Sequence, residues 1–314
     1  MLNFIKRLRF VYGLYNFFHK DQLVHNLAFY RRYGIRKNYY SSVSSKDFRH
    51  LQPEAMTSDA AITTRLLSSK SFTALTEEDR NSLLQFHDNG YAILRNFFPA
   101  AKVDEANKAI DDLLQQKKAG FRNGGKIMFA FRQSPVLKEM GKDPALIELL
   151  SILIGTEAQL FQSINFLMGS EQDTHSDSIH MTTFPLGRLI AVWIALEDIG
   201  PDNGPLHYYP GSHRLPYYLN SDYDNEGNAL LIGDKDYSAY EEMIREKIRE
   251  SGLPRRIFEA KKGDLLIWHA NLCHGGEPHL NKQRTRKSMV FHYFGKDAVS
   301  YHEITQRPAL MTIE

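Results

Sequence analysis

Three side chains in this sequence have the types and spacing to hold one metal ion. His175 and Asp177 flank Ser176 within the stretch QSINFLMGSEQDTHSDSIHMTTFPLGRLIAVWIAL, residues 162–196. On an extended backbone, residues two apart project to the same side, so an imidazole and a carboxylate can reach a common cation. A second imidazole from far along the chain would complete a set of two histidines and one carboxylate. Such a set leaves positions open on the metal and suits non-haem Fe(II) oxygenases. Two late histidines are candidates, His269 at the end of an apolar run and His274 in Asn271-Leu-Cys-His-Gly-Gly276. The triplet alone is a weak signal, since a chain of this composition holds about one by chance. A second one, His19-Lys20-Asp21, lies in a basic setting with no strand pattern and is set aside. His175-Ser176-Asp177 instead sits between two runs that read as buried strands.

The elements that must carry these residues follow from periodicity. A helix is expected over 76–88, stopped by Asn89-Gly90. Residues 91–98 read as a strand, and Pro99 opens a helix with Val103, Ala106, Ile110 and Leu113 on one face. Another helix is expected over 144–154. From Gln159 onward strands dominate. Residues 189–196 form an unbroken apolar run, as in a strand buried on both faces. Residues 205–209, 265–269 and 287–294 follow as strands. Residues 219–236 read as a polar surface excursion, and 237–250 as a charged helix. Helices early and strands late predict an α+β fold with a β-sandwich or barrel as its C-terminal core.

The N-terminal quarter is less patterned. Residues 21–75, polar with Ser-rich stretches, are expected to be irregular. In residues 1–20, Leu2, Ile5, Leu8, Tyr12 and Tyr15 recur at roughly helical spacing, with Lys6, Arg7 and Arg9 between them. A basic amphipathic helix of this kind can pack on the protein's own body, meet a neighbouring subunit or lie on an anionic membrane.

Composition removes several classes of function. A formal charge of +2 argues against a dedicated nucleic-acid binder. The single cysteine, Cys273, rules out an internal disulfide and fits a reducing compartment. No run of 18 apolar residues offers a transmembrane helix. The N-terminus lacks the pattern of a secretory signal, so the expected location is cytoplasmic.

Four segments, in this order, resemble the phytanoyl-CoA dioxygenase family of Fe(II)/2-oxoglutarate-dependent oxygenases. They are Asn89-Gly-Tyr-Ala-Ile-Leu-Arg-Asn96 with its helix, His175-x-Asp177, Asn203-Gly-Pro-Leu…Pro210-Gly-Ser-His213, and Gly263-Asp-Leu-Leu…His274-Gly…Arg286-Lys. The resemblance spans roughly residues 76–296. It implies a double-stranded β-helix, a jelly-roll or cupin-like barrel flanked by helices. The domains would be a helical and irregular extension over 1–75, the oxygenase over 76–300 with an insertion at about 217–255, and a tail over 301–314.

The same resemblance implies Fe(II), 2-oxoglutarate and O2, with His175, Asp177 and His274 as metal ligands. Arg286 would form a bidentate salt bridge to the distal carboxylate of 2-oxoglutarate, because a guanidinium fork matches a planar carboxylate; Arg284 is its rival. Trp193 and Lys126 fall where relatives place residues near the co-substrate, although Trp193 also reads as core; Gln162 and Asn165, on the strand before the ligand pair, could hydrogen-bond the co-substrate. His180, Arg188 and His213 are candidates for the substrate side, His180 as an orienting group or proton shuttle and Arg188 for an anionic substrate. His207 and His213 are also expected to fix the loop over the site. Gly276 stands where many relatives have Ser, and Ser288 is the nearest substitute. Asp177 retains the carboxylate that halogenating relatives lack, which favours hydroxylation. The substrate would be a small or lipid-like molecule. Two other readings are a cupin-like barrel holding Zn or Ni without 2-oxoglutarate chemistry, and a scaffold recruited to membranes by its first helix.

Overall fold

The computed structural model describes residues 7–52, 57–122 and 125–311. Its centre is an antiparallel seven-stranded sheet in the order β1-β9-β6-β11-β4-β3-β2. These strands are β1 (Tyr91–Leu94), β2 (Phe121–Arg122), β3 (Lys126–Met128), β4 (Ala158–Phe166), β6 (Leu189–Ala195), β9 (Leu265–His269) and β11 (Ser288–Gly295). A three-stranded sheet, β10 (His274–Gly276), β7 (Leu206–Tyr208) and β8 (Arg256–Phe258), closes over one face. A third sheet joins β13 (Arg307–Pro308), β12 (Val299–His302) and β5 (Thr182–Phe184).

The two-residue period of the central strands sorts their side chains into two cores. Along β6, Ile190, Val192 and Ile194 pack under the helices, whereas Ala191, Trp193 and Ala195 face the barrel interior. In β9, Leu265 and Ile267 go outward while Leu266 and Trp268 go inward. With both faces covered, every residue of β6 is buried, which explains its unbroken apolar run. The outer face lies under helices Ala100–Gln115 and Pro144–Ile154, whose buried stripes are Val103, Ala106, Ile110, Leu113 and Leu146, Leu149, Leu150, Leu153. Asp143 caps the second of these by accepting from the Leu146 N–H, and Gly155 ends it at φ +72°.

Three expectations change. About half of the described residues in 21–75 are helical, with helices at Asn26–Arg32, Asp59–Ser68 and Lys70–Thr73. Two of the serines that made the stretch look irregular are N-caps, Ser58 accepting from Ala61 N–H and Ser69 from Phe72 N–H. The expected helix over 76–88 breaks at Gln85 into Glu77–Leu84 and Phe86–Asn89. Residue 301, the expected start of a tail, falls inside β12, with Tyr301 buried against Tyr30, Val43 and Phe48.

The expected insertion at about 217–255 also has an inner face. Helix Tyr237–Ser251 buries Tyr240, Ile244 and Ile248 against Ile179, Leu219 and Cys273. It therefore braces the segment that carries His175 and Asp177. Leu2, Ile5 and Lys6 lie outside the described residues. No helix among the described residues is long and apolar enough to cross a membrane.

Candidate metal centre and its cavity

His175 and His274, 99 positions apart, are joined backbone to backbone, each N–H donating to the other's carbonyl at 2.9 Å. That bridge extends the pairing of β10 with β7 and brings the two rings to 4.6 Å between centroids. Each ring is also oriented in the same way. His175 Nδ1 donates to Asp173 O at 2.8 Å, and His274 Nδ1 donates to Leu272 O at 2.9 Å. Both Nε2 lone pairs are thereby left for a metal, the arrangement that outer-sphere partners enforce at histidine sites.

Asp177 completes the group. Ser176 is extended (φ −112°, ψ 148°), so His175 and Asp177 share a side, and Asp177 then begins a single 3₁₀ turn. Asp177 Oδ1 lies 3.9 Å from His175 Nε2 and 4.0 Å from His274 Nε2. One ligand atom from each of the three residues lies within 4.8 Å of the others, and all three residues are buried. The second carboxylate oxygen is held from behind, with Trp268 Nε1 donating at 2.7 Å and His292 Nε2 lying 3.5 Å away. Burial by itself would raise the Asp177 carboxyl. His274 and the hydrogen bond and charge of His292 outweigh it and hold the group well below the usual carboxylate range. Burial and the neighbouring His274 keep His175 well below the ordinary imidazole value, hence neutral and able to bind metal.

The triad opens onto a cavity of about 450 Å³. A larger one, about 570 Å³, lies between helix Pro144–Ile154 and β4 and contains none of these ligands. The chemistry therefore selects the smaller. Arg286 reaches into it with its guanidinium buried: Nε donates to Gly204 O at 2.9 Å, Nη1 to Ser288 Oγ at 2.6 Å, and Nη2 has no partner. The group stacks over Trp193 at 5.0 Å. Among the described residues it has no ion-pair partner; burial, opposed in part by the charge of Glu197, pushes its pKa down to about 10. A buried cation without a direct ion pair is costly, so the site is built for an anion. The donor set fits a carboxylate-bearing chelator beside a divalent ion.

The remaining sequence candidates divide. Gln162, Lys126, Trp193 and His180 line the cavity with the triad, and Ser288 reaches Arg286. Lys126 Nζ donates to Gln172 Oε1 at 3.1 Å, and the Gln172 amide lies 3.3 Å from His175 Nε2.

Asn165 is placed elsewhere. It pairs with Met289 and Ile127, both in the core beneath the helices, so it faces away from the cavity. It stands three positions after Gln162 on one strand, and an odd spacing puts two side chains on opposite faces. Arg188 does not meet the cavity either. It donates to Ile154 O and pairs with Asp297, tying β6 to a helix end. His213 donates to His87 O at 2.9 Å and packs on Gly90, outside the cavity. His207 sits between Thr174 and Glu277, where it fixes the loop before His175. The rivals are absent from the cavity as well: His269 faces His213 and Tyr217, and Arg284 pairs with Asp202 at the surface. Cys273 is buried, its thiol pushed up to about 12.

Sequence reasoning missed four contributors, Trp268, His292, Gln172 and His302. Trp268 and His292 lie inside strands that read as plain core. His302 lay in the expected tail, yet it lines the cavity 5.5 Å from His180. Its Nδ1 accepts from Thr305 N–H, which leaves the Nε2–H to face outward from that bond.

The comparisons with known proteins come to the same place. The family model described as "Phytanoyl-CoA dioxygenase (PhyH)" matches residues 86–288. Ectoine dioxygenase of Sphingopyxis alaskensis is 27% identical over 208 residues, covering 60% of this chain and 67% of that protein. A phytanoyl-CoA dioxygenase domain-containing protein 1 homolog of Caenorhabditis elegans is 23% identical over 248 residues, 74% of this chain and 78% of that one. Among solved structures, the non-heme alpha ketoglutarate dependent carbocyclase SnoK from nogalamycin biosynthesis superposes with a TM-score of 0.62 at 16% identity, covering 77% of this chain and 95% of that one. EctD from S. alaskensis with 2-oxoglutarate and 5-hydroxyectoine gives 0.54 at 20% identity, covering 78% and 81%. At these identities the two structures speak for the shared fold.

Proposed function

The chain belongs to the phytanoyl-CoA dioxygenase family and is an Fe(II)- and 2-oxoglutarate-dependent dioxygenase; from that premise we propose that it hydroxylates a C–H bond of a small molecule, with succinate and CO2 as co-products. The observation that carries this reading is the buried Arg286 guanidinium, without an ion-pair partner among the described residues, in the same cavity as His175, Asp177 and His274.

In this reading the two imidazole Nε2 atoms and Asp177 Oδ1 hold Fe(II), and Arg286 with Ser288 takes the distal carboxylate of 2-oxoglutarate. Bound iron and co-substrate supply O2 activation, the oxidation of 2-oxoglutarate to succinate and CO2 providing the electrons. The protein's own work is to orient and enclose. Trp268 and His292 fix which oxygen Asp177 presents. Trp193 and Phe166 cover the guanidinium. His180, His302, Gln162 and Met181 form the wall left for substrate.

Apart from Asp177, none of the described residues lining this cavity carries a carboxylate, while Lys126 and, beyond the two candidate ligands, the three imidazoles of His180, His292 and His302 line it. That balance supports a neutral or anionic substrate bearing acceptor oxygens rather than an amine. A volume of about 450 Å³, shared with the co-substrate, suits a compact molecule or the end of a longer one.

Anaerobic addition of Fe(II) and then 2-oxoglutarate to the protein should produce the weak visible absorption of a chelated 2-oxo acid. Arg286→Leu should abolish that second step while leaving Fe(II) binding intact. If no absorption develops and no succinate forms on exposure to air, the reading is wrong.

A further inference from the structure

Helix Arg9–Phe17 is mounted with its apolar side to solvent. Phe10, Leu14, Phe17 and the adjoining Phe18 recur at i, i+4, i+7 and i+8, one stripe of a helix. They are 67%, 59%, 52% and 75% exposed. The inward side is polar. Asn16 is fully buried and donates to Tyr40 O at 3.2 Å, and the Arg307 guanidinium lies over Tyr12 and Tyr15 at 5.2 and 4.9 Å. Backbone bonds pin the orientation, Arg9 N–H to Leu230 O at 3.0 Å and Ile232 N–H to Arg7 O at 2.8 Å. They also bring Leu230, 74% exposed, beside the helix start.

Six of the thirteen exposed large apolar side chains among the described residues fall between Phe10 and Val24, so this is a patch and not ordinary scatter. Charge then narrows its partner. The first 40 residues hold eight Lys or Arg against one acid, Asp21, in a chain whose overall charge is only +2. Arg7, Arg9 and Lys37 are engaged within the fold, whereas Lys20, Arg31 and Arg36 are exposed. A second copy of this chain would bring like charge against like charge. An anionic bilayer has none of that repulsion, and it accepts phenylalanine rings without a shape-matched pocket.

We propose that the Phe10-Leu14-Phe17-Phe18 stripe, with the surrounding cations, docks the protein on anionic lipid surfaces. This inference does not depend on the chemistry of the metal centre. It also brings membrane close to the catalytic unit, because Arg307, whose guanidinium lies over Tyr12 and Tyr15 of this helix, pairs in register with His302, which lines the cavity.

The test is flotation of the full-length protein with vesicles of phosphatidylcholine, alone or with about a third phosphatidylserine. The expected result is partition at least about tenfold stronger on the anionic vesicles, weakening between roughly 0.05 and 0.5 M salt. Combined Phe10→Ser, Phe17→Ser and Phe18→Ser should lower it at least about tenfold. Circular dichroism and the thermal midpoint should stay unchanged, since these side chains bury little in the fold. Should the triple variant fold poorly, Phe17→Trp gives an independent readout, its emission moving to the blue on anionic vesicles. Absence of partition, equal partition on neutral vesicles, or indifference to the phenylalanines overturns the proposal. So does a wild-type dimer that the same serines dissociate, which would make the stripe a subunit interface.

Discussion

Trp268 donates its indole N–H to Oδ2 of Asp177 at 2.7 Å, and this bond decides which carboxylate oxygen faces His175 and His274. The donor stands on β9, the acceptor in a loop 91 positions earlier, and His292 on β11 approaches the same oxygen. A carboxylate held on one oxygen presents the other with little freedom, which is how outer partners tune metal sites.

Trp268→Phe keeps an aromatic ring on β9 and removes the donor. Metal affinity should fall by roughly 10–100-fold, as it does when such partners are lost elsewhere. Titration of the metal-free protein with Mn(II) by calorimetry measures this directly. His292→Leu should act in the same direction, and the two changes together should cost less than their sum because both serve one oxygen. An affinity unchanged in both variants would mean that Asp177 is oriented by something else.

Arg286 yields a second expectation. With Mn(II) present, 2-oxoglutarate should raise the thermal stability of the wild type, by about 2.7 kcal/mol at one hundred times its dissociation constant. Arg286→Leu should show no such rise, since its unpartnered Nη2 and its bond to Ser288 are the elements that match a carboxylate. Arg286→Lys should recover only part of it, because an ammonium cannot present two parallel donors. Equal stabilisation of all three proteins in thermal scans would place the co-substrate elsewhere.

How much of this was legible depends on where each signal resides. The ligand triplet, the distal His274 and the apolar strand before it stood out because ligand types and strand period are both local. Trp268 and His292 did not, since a donor inside a buried strand looks like core until the fold brings a carboxylate to it. Asn165 was misplaced by counting proximity to Gln162 and ignoring parity along β4. His302 was lost with the presumed tail, whose pairing with β5 and with residues near Tyr30 involves contacts no local pattern announces. The serines of 21–75 carried a usable signal that composition masked, Ser58 and Ser69 capping the helices Asp59–Ser68 and Lys70–Thr73.

Protonation of the cavity wall should be visible in stability. Burial, then the nearby His302, pushes His180 down to about 3; burial, then Arg307, pushes His302 down to about 4. In the unfolded chain both titrate near the ordinary value of about 6.5. Below that pH the unfolded state binds more protons, so stability is full above it and declines as pH falls toward 4. Each group adds at most about 1.4 kcal/mol per pH unit to the slope. Urea unfolding of metal-free protein between pH 7 and 5 should therefore show falling midpoints, and His302→Asn should flatten the curve. Parallel curves for the two proteins would refute the assignment to this residue.

The same wall should govern specificity without touching the co-substrate reaction. His180 and His302 stand 5.5 Å apart, ring to ring, on two separate elements, and neither bonds Arg286 or Ser288. Replacing each with Phe preserves the stacking surface while deleting its hydrogen-bonding nitrogens. Slow, substrate-free conversion of 2-oxoglutarate to succinate should then continue within about twofold of wild type, since its ligands are intact. Once a substrate is in hand, its kcat/KM should drop by about tenfold or more per lost hydrogen bond to a substrate oxygen. The split separates two roles that a single activity assay would merge. Loss of the substrate-free reaction in His302→Phe would show that β12 supports the metal centre itself, and the wall assigned to substrate would have to be sought at Gln162 and Met181 instead.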